Sequence, residues 1–163
     1  MRIDRPIYLD KMIRSRGNGF IKIITGLRRS GKSYLLKFIF HDYLLEEGIP
    51  ADHIIVIDLE DKRQAEFKDP DYLFDHVDNA MKDENSYYIL IDEVQEVRDF
   101  VSVLSTLNLK PNVDLFVTGS NRSFFPRTLP PSSEAGERKF QCARSHLASS
   151  FLHTMAQIGR AHV

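Results

Sequence analysis

The spacing of apolar positions changes several times along the chain, and each change marks an element. Ile7, Leu9, Met12 and Ile13 recur at helical spacing over residues 6–15, and Gly17-Asn18-Gly19 ends that helix. Phe20 to Thr25 is apolar and β-branched with Lys22 as its only charge, which predicts a strand. The loop Gly26 to Gly31 follows. Lys32 to Glu47 places Leu35, Leu36, Ile39, Phe40, Tyr43 and Leu44 at helical spacing, and Gly48-Ile49-Pro50 stops it. His53 to Leu59 reads as a second strand, and the charged stretch Glu60 to Lys68 as a loop or fraying helix. Asp69-Pro70 opens a helix to about Asp83, with Tyr72, Leu73, Val77 and Met81 inward. Tyr87 to Ile91 is a third strand, Val94 to Leu109 a helix, and Val113 to Thr118 a fourth strand.

The three central strands are continuous apolar runs, as expected of parallel strands covered on both faces. Strands alternating with helices predict an α/β layered domain. The chain of 163 residues is long enough for one domain with a real core.

Composition adds exclusions. Net charge is -1, so there is no global basic footprint for nucleic acid, and the cations Arg2, Arg5, Lys11, Arg14, Arg16 and Lys22 read as a solvated helix face. No apolar run is long enough to span a bilayer, no secretory signal precedes the first strand, and one cysteine, Cys142, allows no internal disulfide. These features point to the cytoplasm.

After about Asn121 the text changes. Residues 1–120 hold fourteen Asp and thirteen Ile, whereas residues 121–163 hold no Asp and one Ile. Pro130-Pro131-Ser132-Ser133 and the stretch to Arg144 show neither helical nor strand period, which suits a disordered tail. A shifted reading frame accounts for more. Ordinary codons for Phe124 to Leu152, read two bases later, spell a helix, an Arg-Gly-Arg turn and a Pro-Leu-Ser-Phe strand. Ile158 to Val163 back-translate to a run resembling a common sequencing adapter. Residues 1–121 are therefore read as the domain, and 122–163 as an aberrant tail outside fold reasoning.

The segment Gly26-Leu27-Arg28-Arg29-Ser30-Gly31-Lys32-Ser33 has the spacing of a phosphate-binding P-loop, set between an apolar strand and an amphipathic helix. Backbone N–H groups of such a loop form an anion nest, and the helix presents its positive end to phosphate. Gly26 and Gly31 permit close approach, Lys32 brings an ammonium to the β- and γ-phosphates, and Ser33 offers its hydroxyl to magnesium. Arg28, Arg29 and Ser30 fill the loop; the two arginines either touch phosphate or a partner, or stand solvated at the rim. Tyr87 to Glu93 is an apolar strand ending in two carboxylates, the Walker B pattern. Asp92 suits magnesium through water, and Glu93 suits the base that polarises an attacking water. Gln95 caps the next helix, contacts the site or is simply exposed, with capping or exposure the safer reading. Val117-Thr118-Gly119-Ser120-Asn121 ends a strand in small polar residues, and Ser120 or Asn121 would hold the attacking water if that strand lies between the other two. His41, His53 and His76 lack ligand-like spacing.

The P-loop, Ile91-Asp92-Glu93-Val94-Gln95 and Thr118-Gly119-Ser120-Asn121, in that order, resemble the AAA+ ATPases. More closely they resemble a bacterial and archaeal AAA-type family of ATP-binding proteins, over residues 1–121. The resemblance implies a P-loop NTPase three-layer sandwich with a mainly parallel sheet in 5-1-4-3-2 order. It also implies ATP and Mg2+ as ligands, Lys32, Ser33, Asp92 and Glu93 in the roles above, and Ser120 or Asn121 at the sensor position. The family's Arg-Gly-Arg segment, its Pro-Leu-Ser-Phe strand and its C-terminal domain are lacking here, so the fifth strand and any arginine finger are expected to be missing. ATP hydrolysis is the leading expectation. A nucleotide-dependent binding module without turnover is the alternative, and a small-molecule kinase using Asp58 as base is a third. DNA, a toxin or another protein all stay open as the downstream target, and so does oligomerisation.

Overall fold

The computed structural model describes residues 6–27 and 29–119. Helix α1 (Pro6–Arg14) leads to strand β1 (Lys22–Thr25). Helix α2 then starts as Lys32–Tyr34, passes through a π-helical stretch, Leu35–Phe40, and finishes as His41–Glu46. Next come β2 (Ile54–Asp58), a 3₁₀ segment (Lys62–Lys68), α3 (Pro70–Ala80), β3 (Tyr87–Asp92), α4 (Phe100–Asn108) and β4 (Val113–Gly119). The predicted elements are therefore present.

All strand pairs are parallel, and the order is β1-β4-β3-β2. The first and last strands in sequence are thus neighbours, and β4 lies between the P-loop strand and the acidic strand. This is the expected 5-1-4-3-2 order without its fifth strand among the described residues. Ser120, Asn121, Arg28 and the tail 122–163 lie outside the described residues.

Alternation along each strand divides the core into two layers. Ile55, Ile57, Tyr87, Ile89, Ile91, Val113, Leu115 and Val117 face α3 and α4 with Leu73, Val77, Leu104 and Leu107. Ile24, Ile54, Tyr88, Leu90 and Phe116 face α1 and α2 with Met12, Leu35, Leu36, Ile39, Phe40 and Leu44. Helices on both faces of the sheet make the three-layer sandwich. Phe40 of α2 packs on Phe116 of β4 with centroids 4.5 Å apart, and burying each ring contributes about 1.5–3 kcal/mol.

Three helices depart from the expectation. Helix α3 ends at Ala80, and its Tyr72, expected inward, is 43% exposed. Lys32 to Glu47 is helical but not α-helical throughout, because the π stretch widens its turns at Leu35–Phe40. Val94 to Leu109 is not continuous. A 3₁₀ turn, Val94–Glu96, gives way to extended backbone at Val97, and Asp99 turns left-handed (φ 49°) before α4 begins. The break lets Val94, Val97 and Phe100 all enter the same core layer. A single α-helix would turn them progressively around its axis.

The period of two also sets the polar residues. Asp58, Asp92 and Thr118 end their strands in phase with Val56, Leu90 and Phe116, on the α2 side of the sheet. Three polar side chains at strand C-termini thereby face the helix that follows the P-loop.

Candidate active site

The loop starts from a left-handed corner. Gly31 has φ 83°, where a side chain is strained, and Arg29 takes φ 66° without being glycine. Ser30 N–H donates to the Leu27 carbonyl at 3.2 Å and tightens the turn. At Gly26 a Cβ would stand 3.2 Å from Ser30 Oγ and 3.7 Å from Lys32 Cδ, so the glycine leaves room for the lysine stem. Lys32 is buried at 3% exposure. Its Nζ donates to the carbonyls of Gly26 (3.3 Å) and Leu27 (3.1 Å) and lies 3.8 Å from Glu93 Oε1. A buried ammonium needs such partners, and these hold it across the loop mouth. Ser33 is half-buried one residue further on.

The acidic strand ends beside it. Asp92 is fully buried, and Glu93 is 7% exposed with left-handed backbone (φ 55°). That corner turns the Glu93 side chain toward Lys32, and Gln95 Nε2 donates to Glu93 Oε2. Gln95 thus contacts the site, whereas helix capping or simple exposure was the expectation favoured for it.

Thr118 links the two acids. Its hydroxyl donates to Asp92 Oδ1 at 2.5 Å and accepts the Glu93 N–H at 2.8 Å. One side chain of the intervening strand therefore fixes the orientation of the first acid and the backbone of the second. The sequence reading assigned no role to it. The available signal was a hydroxyl directly after the apolar run Leu115-Phe116-Val117 of a buried strand.

Lys37 was missed as well. It stands four residues after Ser33 on α2, and its Nζ lies 2.5 Å from Asp58 Oδ2 and 3.0 Å from Asp92 Oδ2. Burial pulls its pKa down, but its close contacts with the Asp58 and Asp92 carboxylates outweigh that and leave it raised. Asp58 also accepts the Glu60 N–H at 3.1 Å, so its carboxylate is engaged on both oxygens.

The residues fit a magnesium ion of the kind that accompanies phosphates. Asp92 Oδ2 is buried, and the side chain beside it is the Lys37 ammonium at 3.0 Å. No cluster of three or more His, Cys, Asp or Glu that could hold a metal ion exists among the described residues. Magnesium uses one or two protein oxygens and takes its other ligands from phosphate and water, and Asp92 Oδ2 and the Ser33 hydroxyl are oxygens of that kind. Of the histidines, His53 stacks on Tyr87, and His76 sets its edge on Phe67.

A strand-borne P-loop, a carboxylate pair two places across a parallel sheet, and the strand between them together define one architecture. Residues 18–139 match the AAA domain family. The chain belongs to that family, a P-loop nucleotide-binding ATPase family. An uncharacterized protein of Haemophilus influenzae is 35% identical over 120 residues, which is 73% of this chain and 30% of that protein. The chain thus spans about a third of that relative's length. Among solved structures, one of Drosophila ORC bound to DNA aligns with TM-score 0.51 at 15% identity, over 79% of this chain and 93% of that one. The structure of C. elegans PCH-2 aligns with TM-score 0.51 at 17% identity, over 85% of this chain and 45% of that one. At these identities the likeness concerns the fold alone. No described helix is long and apolar enough to cross a membrane.

Proposed function

We propose that this AAA domain binds ATP with Mg2+ at the P-loop and hydrolyses the γ-phosphate. The observation that carries the reading is the convergence of Lys32, Asp92 and Glu93 at the C-terminal edge of the sheet, with Lys32 Nζ 3.8 Å from Glu93 Oε1. Backbone N–H groups of Gly26 to Gly31, Arg28, Arg29 and Ser30 included, would cradle the phosphates, and the Lys32 ammonium would neutralise charge on them. Ser33 and Asp92 would hold the metal. Bound there, Mg2+ supplies charge neutralisation at the phosphate oxygens.

Glu93 takes a proton from water as the water oxygen bonds to the γ-phosphorus. The bond from that phosphorus to the β–γ bridging oxygen breaks, and ADP and phosphate leave. Thr118 keeps Asp92 and the Glu93 backbone in place. Ser120 or Asn121, one or two residues beyond β4, would hold the water.

A second reading, nucleotide-dependent binding without turnover, is favoured by the engagement of the Glu93 carboxylate with Gln95 and Lys32. The kinase reading loses support, because the Asp58 carboxylate is ion-paired with Lys37.

Glu93→Gln separates the first two readings. MgATP affinity should stay within about twofold while turnover falls by about a hundredfold or more. Equal turnover in the two proteins rejects Glu93 as the base. Nucleotide binding without measurable turnover in the wild type selects the second reading.

A further inference from the structure

Lys37 bridges two carboxylates that no other described side-chain cation contacts. Asp58 and Asp92 are register partners at the ends of β2 and β3, side by side on the α2 face. Two carboxylates at that spacing repel each other unless a cation sits between them. Lys37 supplies it, 82% removed from solvent, against one acid that is fully buried and one whose side chain is 26% exposed. Asp92 Oδ1 is occupied by the Thr118 hydroxyl, whereas Oδ2 has no neutral donor and faces the ammonium. The oxygen without a neutral donor is therefore the one that the lysine guards.

We infer that Lys37 is a resident counter-cation that keeps divalent metal off the Asp58–Asp92 pair until nucleotide arrives. A divalent ion approaching Asp92 alone meets a positive charge already 3.0 Å from the oxygen it would use. Only the added negative charge of a bound triphosphate offsets that repulsion. Lys37 is thus a positioning residue acting through Asp92, and it makes metal binding conditional on nucleotide binding. The inference rests on the proposed nucleotide site, but its test uses metal alone.

Mn2+ binding to the full chain without nucleotide is measured by electron paramagnetic resonance for the wild type, Lys37→Met and Lys37→Gln. Both variants should bind Mn2+ at least about tenfold more tightly than the wild type. Adding Asp58→Asn to Lys37→Met should abolish the gain, because one carboxylate has gone. The inference is overturned if the folded variants bind Mn2+ no more tightly than the wild type, or if the gain survives Asp58→Asn. Loss of the folded circular-dichroism signature in both variants overturns it too, because Lys37 is then needed only for structure. Binding of a fluorescent ATP analogue in EDTA is read separately. Its absence rejects the P-loop reading and leaves the metal result to be judged alone.

Discussion

The two ends of the sheet both bury charge, and they do so differently. At the N-terminal ends of the strands, Lys22 of β1 pairs with Asp114 of β4, each with its side chain less than a tenth exposed. The second oxygen of Asp114 accepts the Gly17 N–H at 2.9 Å, and the ammonium lies 5.2 Å from the centroid of the Phe116 ring. Nearby, the Arg16 guanidinium donates to the hydroxyls of Tyr88 and Tyr43 and reaches Glu47 at 3.7 Å. Each charge there has its opposite, and each carboxylate oxygen of Asp114 has a donor. At the C-terminal ends, Asp58, Asp92 and Glu93 face Lys32 and Lys37, so acids outnumber lysines. One oxygen, Asp92 Oδ2, has a charge beside it but no neutral donor. A balanced cluster ties elements together. An unbalanced one is ready to exchange a partner, which is what a ligand site requires.

The largest expected effect would test the balanced end. Lys22→Met leaves the Asp114 carboxylate buried without its cation, and breaking such a pair costs about 3–5 kcal/mol. That is a large part of the stability of a domain this size. Urea unfolding should show the loss, while nucleotide affinity below the unfolding transition stays unchanged. Lys22→Met with Asp114→Leu should recover much of the stability, because apolar replacement of a buried pair is often neutral. A drop in nucleotide affinity for the folded single variant would break the comparison, since the two ends would then be coupled.

Thr118→Val tests the other end. It leaves the Glu93 N–H without its acceptor and Asp92 Oδ1 without its donor, at an expected stability cost of about 1–3 kcal/mol. Turnover should fall by about tenfold or more, whereas nucleotide binding in EDTA should not change. Thr118→Ser keeps the hydroxyl and should restore turnover. Normal turnover in Thr118→Val would place this hydroxyl with the purely structural groups of the opposite end.

The difference between the ends was only partly legible in the sequence. Gly26 to Ser33 and Asp92-Glu93 could be read because their chemistry lies in contiguous residues flanked by apolar runs. The strand positions could be read because alternation between strands and helices constrains a parallel sheet. Lys22 was the one charge in its strand yet was grouped with a solvated helix face; the structure buries it in β1, and its partner could not be found from spacing. Asp114 is 92 residues away and meets it only because β4 inserts beside β1. Lys37 looked like any solvated helix lysine, since a periodicity states which face is buried but not what stands opposite. The break before α4 depends on left-handed Asp99, a conformation that a non-glycine residue does not advertise.

The smallest effect concerns a carboxylate that the site does not use. Asp69 precedes α3 and accepts the N–H groups of Asp71 and Tyr72, both at 3.1 Å, while Arg98 reaches its other oxygen at 2.9 Å. The Tyr72 N–H bond leads the effects on its pKa, and loss of solvent opposes it. The Asp71 N–H and Arg98 add to the lowering, so the folded value lies below the usual carboxylate range. The stability it contributes is therefore present above the unfolded pKa of about 3.9 and is lost as pH falls through the folded value. Asp69→Asn keeps a capping acceptor but removes the titration. Its melting temperature at pH 7 should change little, and its acid limb should be shallower than that of the wild type. Asp69→Ala loses the cap and should melt slightly lower at pH 7. In both variants nucleotide affinity should match the wild type. If it fell, an exposed helix cap would belong with the unbalanced cluster, and charge balance would no longer distinguish structural from functional acids in this domain.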